Sequence, residues 1–315
     1  MSIAVQAPQL SETSAGRIDR SKQNGSYEIL RFVAALGVVW FHCHAPLELL
    51  GYAGLPALVA LSLGLATAPG RPYPFSVTLS KRARRLLLPW VFWCIVYGLG
   101  KIFKSIAIGE PVSDRVTEWI FMAGPALHLW YLPYAFAVTC LGGLARRSYN
   151  PSSEFVIVLL SVASVVLTTV ICSWVLETTS LPAPFSQWIY AFPAVVIGCC
   201  LPHSDNNSSK ILSVLCLLSA VIVACLSTRS ASFSTPYIAG IAAVGAAWLT
   251  HVPATTFVKW LGGLSFGIYL VHPITESILI TLTSYKNDSA LALLVIAVSI
   301  LLTAGLQRTP FKVVL

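Results

Sequence analysis

The chain has 315 residues, of which 56% are hydrophobic and only 10% are charged, and its formal net charge is +8. Soluble domains contain about 25% charged residues, so this composition excludes a soluble globular protein and predicts an integral membrane protein. A helical span takes about 20 apolar residues, which leaves room for about ten spans and for no separate catalytic domain. The positive charge does not indicate nucleic acid binding, because no basic run alternates with aromatic residues on a polar surface.

Apolar runs divide the chain into one membrane domain and two short tails. Residues 1–26 are polar, and we interpret them as a disordered cytoplasmic tail rather than a cleaved signal peptide. A polytopic membrane domain is predicted over residues 27–308, followed by a short cytoplasmic tail, 309–315. The predicted helices lie near residues 27–45, 47–68, 86–108, 127–145, 155–176, 185–201, 211–227, 233–250, 257–284 and 289–306. The fold class is therefore an all-α bundle of about ten transmembrane helices.

The distribution of Lys and Arg predicts how the bundle is oriented. With the N-terminus inside, about fourteen of the 20 cations fall in cytoplasmic segments, about five fall outside, and Arg31 lies within a span. Cytoplasmic loops of membrane proteins carry the excess of positive residues. Both termini are therefore predicted to be cytoplasmic.

The first predicted helix contains ionisable residues, which are costly inside a membrane and mark functional sites. Arg31 and His42 are eleven residues apart, so they lie on nearly one face with about 16 Å between them along the axis. Instead of a functional role, Arg31 could simply form an ion pair with Glu28, three residues earlier. His42 could likewise be a structural histidine. His44 and Glu48 are four residues apart, so the carboxylate either orients the imidazole or forms an interfacial pair with it.

A basic cluster precedes the third predicted helix. The sequence "SKRARRLLLPW" places Lys81, Arg82, Arg84 and Arg85 within five residues. Such a cluster either sets the membrane topology or binds phosphate groups, for which arginine forks are well suited.

Two later helices carry further histidines. "GPALHLWYLP" places His128 at the outer start of the fourth predicted helix. "GGLSFGIYLVHPITE" places His272 about 22 Å from the inner end of the ninth, with Glu276 one turn later. Each residue alone is explained as an interfacial side chain, but three helices that bring imidazoles to a similar depth predict a site. No Cys or His spacing predicts a metal site, and no glycine motif predicts a nucleotide site.

Together, four segments resemble the acyltransferase-3 family of membrane acyltransferases, which includes bacterial polysaccharide and lipopolysaccharide O-acetyltransferases. The similarity spans nearly the whole chain. In the second predicted helix the chain departs from the family, because "LPALVALSLGLATA" keeps only Ser62 and Gly64 of the aromatic-rich FFxLSGF element. The matching features are the Arg31 to His42 spacing, the RxxR-type cluster from Arg82 to Arg85, "HLWYLP" with His128, and "SFGIYLVHP" with Ser265, Tyr269 and His272.

The resemblance implies a function for the bundle. Its members move an acyl group, usually acetyl, from acyl-CoA to a sugar hydroxyl of an exopolysaccharide, a lipopolysaccharide or a related glycan. It implies that His42 is the catalytic histidine and that Arg82 and Arg85 help to bind the donor. We therefore expect acetyl-CoA or another acyl-CoA as donor, a sugar acceptor and the lipid bilayer as partners, and no metal or nucleic acid. The expected location is the bacterial inner membrane.

Each remaining candidate residue has an expected part in this site. We expect His42 to be the general base, with Arg31, His128 and His272 also catalytic, while Lys81 and Arg84 join the arginines that bind the donor. The expected substrate-binding or supporting residues are Glu48, His44, Tyr269 and Glu276.

Three alternatives stay open at this point. His42 or His272 could carry the acyl group covalently. A transporter or flippase for a glycan or a small solute would also place ionisable residues at mid-membrane. A non-catalytic membrane scaffold would tolerate replacement of the histidines.

Overall fold

The computed structural model describes residues 24–68, 74–109, 111, 120–148, 154–203, 206–228, 230–283 and 288–315. In this part of the chain there is no strand, only an isolated bridge between Asn24 and Pro253. Most of the predicted N-terminal tail lies outside the described residues. The described α-helices are α1 Gly25–His42, α2 Glu48–Tyr52, α3 Gly54–Ala66, α4 Phe75–Ile108, α5 Ile120–Ala123, α6 Tyr131–Ser148, α7 Glu154–Thr178, α8 Phe185–Cys200, α9 Asn207–Leu226, α10 Ala231–Leu249, α11 Thr256–Thr283 and α12 Ser289–Leu306. Two 3-10 segments, Leu127–Trp130 and Pro310–Val314, complete the described structure.

The prediction of an all-α membrane bundle is confirmed. Eight helical stretches of the described chain are long and apolar enough to cross a membrane, and α2 and α3 form one of them. The apolar α8 is shorter, with 16 residues, and α1 has 18 residues and carries Glu28 and Arg31. In one apolar 18-residue window of the α2–α3 stretch 61% of the residues are buried, compared with 17% in such a window of α4. The α2–α3 stretch is therefore central, whereas α4 lies at the periphery with most of its surface free to face lipid.

Several predicted helix boundaries differ from the structure: the predicted helix near 47–68 is divided into α2 and α3, and α6 begins only at Tyr131. Two other differences have a clear local cause. The helix α4 begins at Phe75, eleven residues before the predicted start, so the basic cluster lies inside this helix rather than before it. The reason is that Lys, Arg, Leu and Ala are all good helix formers, and charge alone does not end a helix. At the N-terminus, α1 begins at Gly25 because the Asn24 side chain accepts a hydrogen bond from the Ser26 amide, 3.0 Å away, a favourable N-cap.

Hydrogen bonds tie several helix ends together at one end of the bundle. The Gly25 amide donates to the Val252 carbonyl, 2.7 Å away, and the Trp248 indole donates to the Pro202 carbonyl, 2.8 Å away. The start of α1 and the ends of α8 and α10 therefore lie together, and we call this the Asn24 end. We call the opposite end of the bundle, where α1 ends, the His44 end. Which end is cytoplasmic stays a prediction.

Buried apolar side chains form three clusters. The first core lies mainly among α3, α8, α9 and α10. The second lies among α1, α11 and α12. The third forms where α1, α4, the Leu127–Trp130 segment, α6 and α11 meet. Tyr131 packs against both the first and the third cores, and we call this boundary between the two cores the seam.

Close contact between two glycines brings α2 against α1. A Cβ on Gly37 would lie 2.7 Å from the Gly51 carbonyl oxygen, and a Cβ on Gly51 would lie 2.6 Å from the Gly37 carbonyl oxygen. Membrane helices commonly associate through such small residues, which let backbones approach closely. One consequence is that Tyr52 of α2 stacks on Phe41 of α1, with 4.2 Å between ring centroids.

Candidate functional site

Three histidines from three different elements meet inside the bundle. His42 is the last residue of α1, His128 lies in the Leu127–Trp130 segment, and His272 lies in α11. The ring centroids are 5.1 Å apart for His42 and His272 and 5.5 Å apart for His128 and His272. His272 is fully buried and His128 is nearly so, whereas His42 keeps some accessible surface. We call these three residues the histidine cluster.

The hydrogen bonds of His272 define its tautomer. Its Nδ1 lies 2.8 Å from the Tyr269 carbonyl oxygen and 3.3 Å from that of Ile268. Because carbonyl oxygens only accept hydrogen bonds, Nδ1 carries the proton and Nε2 carries the free lone pair. That Nε2 is buried, and no hydrogen-bond partner for it exists in the described part of the chain; the same holds for Nε2 of His128. Buried polar atoms are almost always paired, so two unpartnered ring nitrogens in one cluster make it a candidate site.

Two tyrosines hold His128 in place. The Tyr269 hydroxyl donates to the His128 carbonyl oxygen. Tyr97 of α4 packs edge-on against the His128 ring, 5.0 Å between centroids, and its hydroxyl donates to the Leu270 carbonyl, 2.7 Å away. The single proton of the Tyr269 hydroxyl is thus used within the protein, which makes Tyr269 a supporting residue. Tyr97 was not predicted, since one tyrosine in an apolar run gives no signal in the sequence.

A polar group lies beside the cluster at the His44 end. His44 Nδ1 is 2.9 Å from Glu48 Oε2, and both side chains are exposed. Glu276 lies close enough to His44 to interact with it electrostatically. The connecting turn is strained, since His44 and Leu47 have φ angles of 50° and 61°, values that are uncommon outside glycine. Strained turns of this kind cluster at functional sites.

The alternative partner of Arg31 is present in the structure. The Arg31 guanidinium and the Glu28 carboxylate form an ion pair at 2.9 Å, with about a quarter of each side chain exposed. The carboxylate lies directly over Gly262 of α11, where any Cβ would collide with it. Arg31 is therefore fixed near the Asn24 end, well away from the histidines.

The basic cluster divides into residues with different surroundings. The Arg82 guanidinium donates to the Thr139 carbonyl in α6 and to the Ala66 carbonyl, 3.5 Å away. Ala66 is the last residue of α3, where carbonyls lack partners within the helix. Arg82 therefore joins three helices, a structural role that the resemblance did not imply. Lys81, Arg84 and Arg85 have exposed side chains.

Tyr131, the seam residue, connects the arginines with the histidines and was missed by the sequence reasoning. Its hydroxyl lies close to the Ser62 side chain and within electrostatic range of Arg31 and Arg85. Its ring is 5.6 Å from that of Tyr269, which in turn contacts the cluster. The only signal was its position in "HLWYLP", directly after the His128 segment.

Ring nitrogens, hydroxyls and guanidinium groups thus make up the site. Among the described residues, no group of three or more His, Cys, Asp or Glu side chains has an arrangement that could hold a metal ion. The imidazoles of the histidine cluster can transfer protons. The guanidinium groups, which lie nearer the Asn24 end, can bind anions.

A family model described as an acyltransferase domain matches residues 24–307. The chain belongs to the acyltransferase-3 family. The matched range begins at the cap of α1 and ends just after α12, so the whole histidine cluster and the basic cluster lie within it. No curated protein and no solved structure was found to match the chain. Family membership and the apolar helices together make the protein a multi-pass membrane acyltransferase.

Proposed function

We propose that this acyltransferase-3 protein moves an acyl group, acetyl in the simplest case, from acyl-CoA to a sugar hydroxyl of an exopolysaccharide, a lipopolysaccharide or a related glycan. We place it in the bacterial inner membrane. The observation that carries the proposal is the meeting of three imidazoles at one level of the bundle, while guanidinium groups lie nearer the Asn24 end. This separation suits a donor with phosphates at one end and a reactive thioester at the other.

The donor enters, in this proposal, from the Asn24 end. Positive residues concentrate on the cytoplasmic side of membrane proteins. The end of α3 lies at the Asn24 end, because the Gly64 carbonyl is bonded to His203, just after α8, and Arg82 of the basic cluster contacts Ala66, the last residue of α3. Arg85, Arg84 and Lys81 then offer charges to the CoA phosphates. Arg31 is about 16 Å from His42 along α1, too far to touch the thioester carbonyl, so its part is donor binding.

His42 is the general base of the proposed reaction. It removes the proton of the acceptor hydroxyl while the hydroxyl oxygen attacks the thioester carbonyl carbon. The new C–O bond forms, the C–S bond breaks, and the departing CoA thiolate takes the proton from the His42 imidazolium. The free Nε2 lone pair of His272 stabilises that imidazolium, and the His128 ring also packs against His272.

The acceptor binds, in this proposal, at the His44 end. His44, Glu48 and Glu276 present polar groups beside His42, and carboxylates accept hydrogen bonds from sugar hydroxyls. The stacked rings of Phe41 and Tyr52 lie next to them and offer an apolar wall for a sugar ring.

The test uses inside-out membrane vesicles that are loaded with the glycan fraction of the same cells and are then supplied with labelled acetyl-CoA from outside. We compare wild type, His42→Ala and the control His251→Ala, an exposed loop residue, at equal amounts of folded protein. Base-labile label on the glycan should fall by roughly 10²–10⁴-fold in His42→Ala and stay unchanged in the control. Equal labelling by His42→Ala would remove His42 from the mechanism, and no labelling by wild type from any acyl-CoA would reject the donor.

A further inference from the structure

The surroundings of Tyr131 change in character from one side to the other. Towards the Asn24 end its hydroxyl lies close to the Ser62 side chain and within electrostatic range of the guanidinium groups of Arg31 and Arg85. Towards the histidines its ring packs on Tyr269, 5.6 Å away. Cations, two neutral hydroxyls and imidazoles therefore follow one another along the seam.

The side chains along this part of the seam also keep some accessible surface. Tyr131 is surrounded by protein and lies at the seam between two cores, yet part of its surface stays accessible. His42 keeps accessible surface as well, and 26% of the Arg31 side chain is exposed. Each of these three side chains therefore borders space that protein atoms do not fill, and a bound ligand could contact it there.

The length of this route matches one part of a CoA thioester. The eleven residues from Arg31 to His42 span about 16 Å along a helix. About thirteen bonds separate the sulfur of CoA from its nearest phosphorus, and an extended chain advances about 1.2 Å per bond, which again gives about 16 Å. A donor with its phosphates at the arginines and its thioester at His42 therefore passes its pantetheine arm along Tyr131.

The hydroxyls can bind that arm. Tyr131 and Ser62 together have two O–H donors, and contact between the two neighbouring hydroxyls uses at most one of them. The other remains for an amide carbonyl, and the spare lone pairs accept an amide N–H. We propose that Tyr131 and Ser62 bind the amide groups of the pantetheine arm, and this rests on acyl-CoA being the donor, as proposed above.

The test compares three acetyl donors, namely acetyl-CoA, acetyl-pantetheine, which lacks the phosphates, and S-ethyl thioacetate, which also lacks the amides. Thiol release is followed with purified protein and saturating glycan fraction. Tyr131→Phe should lower kcat/KM by about 5–15-fold, mainly through KM, for the first two donors and not for the third. Ser62→Ala should give a smaller loss with the same donor pattern.

Two further variants act as controls. Tyr134→Phe removes a hydroxyl from the same helix, one that donates to the Trp188 carbonyl, 3.4 Å away, and should leave all three donors unaffected. Arg85→Ala should affect acetyl-CoA alone.

The outcomes separate this inference from the proposed function. Wild-type kinetics for Tyr131→Phe with both arm-bearing donors, or an equal loss with S-ethyl thioacetate, would overturn the inference and leave the proposed function standing. A wild-type protein that transfers acetyl from none of the three donors would reject both.

Discussion

At the scale of single residues, His272 has the most closely defined chemistry of the cluster. Its Nδ1 proton is committed to the carbonyls of Tyr269 and Ile268, so the ring cannot rotate or change tautomer without breaking these bonds. Its Nε2 is left as a buried base without a hydrogen-bond partner in the described part of the chain. The ring centroids of His272 and His42 are 5.1 Å apart. His42 can therefore gain a proton beside a neighbour that is already arranged to accept a hydrogen bond from it.

His272→Asn should distinguish the role of Nδ1 from that of Nε2. The Asn amide still donates to the helix carbonyls as Nδ1 does, so folding should be preserved, but the basic Nε2 is lost. A hydrogen bond to a charged group contributes about 1.5–3 kcal/mol, so kcat should fall about 10–100-fold while the KM for acetyl-CoA stays the same. His203→Asn, which alters a histidine bonded to the Gly64 carbonyl, should show neither change. A rise in KM without a fall in kcat would show that His272 binds donor instead.

The residues that sequence reasoning found and those it missed differ in a physical way. Arg31, His42, His128 and His272 stand out because charge or basicity inside an apolar helix is costly. Tyr131 does not stand out, because tyrosine is common in membrane helices and its importance depends on which helices surround it. Only the packing of α6 against the first and third cores reveals its position at the seam.

At the scale of elements, the basic part of α4 shows that residues of one motif can have different roles. The four cations share one helix, but a helix rises 1.5 Å per residue, so Arg82 and Arg85, which are one turn apart on nearly one face, reach different levels of the bundle. Arg82 donates to the carbonyls of α3 and α6, whereas Arg85 lies within electrostatic range of the Tyr131 hydroxyl. Loss of activity in an Arg82 variant would therefore combine weaker donor binding with weaker helix packing, and Arg85 is the cleaner probe of the donor.

The pairing of α1 with α11 gives a sharper prediction about packing. A Cβ at Gly262 would lie 2.7 Å from Glu28 Cβ and would collide with its carboxylate, whereas a Cβ at the neighbouring Gly263 would meet only Gln307, 3.9 Å away. Overpacking of this kind costs about 1–3 kcal/mol. Gly262→Ala should therefore be less stable than wild type and should displace Glu28 from Arg31.

The adjacent glycine supplies the matched control. Gly263→Ala places the same methyl group in an ordinary contact with Gln307, at 3.9 Å, and should be neutral or up to about 1 kcal/mol more stable, because Ala is the better helix residue. Both variants can be compared with wild type by thermal unfolding in the same detergent. Equal unfolding temperatures for the two variants would contradict the close contact between α1 and α11.

At the scale of the whole molecule, hydropathy was enough to locate the helices, and it could not say how they pack. The predicted spans near 155–176 and 289–306 agree closely with α7 and α12, because apolar runs bounded by polar turns leave little choice. The meeting of His42, His128 and His272 needed something else, since lipid-facing and buried residues are equally apolar. Close contacts such as that of Gly37 with Gly51 decide the packing, and no period in the sequence reports them.

The route of the donor depends on the orientation of the bundle in the membrane. Acyl-CoA is a cytoplasmic metabolite, so the Asn24 end, with Arg31 and the basic part of α4, must face the cytoplasm if the proposed function holds. An epitope inserted at Ser180, in the exposed loop between α7 and α8, should then be reached by antibody added to intact spheroplasts. An epitope after Leu315 should be reached only once the membrane is opened. The reverse result would place the arginines outside, away from any acyl-CoA, and the donor would have to be a different molecule.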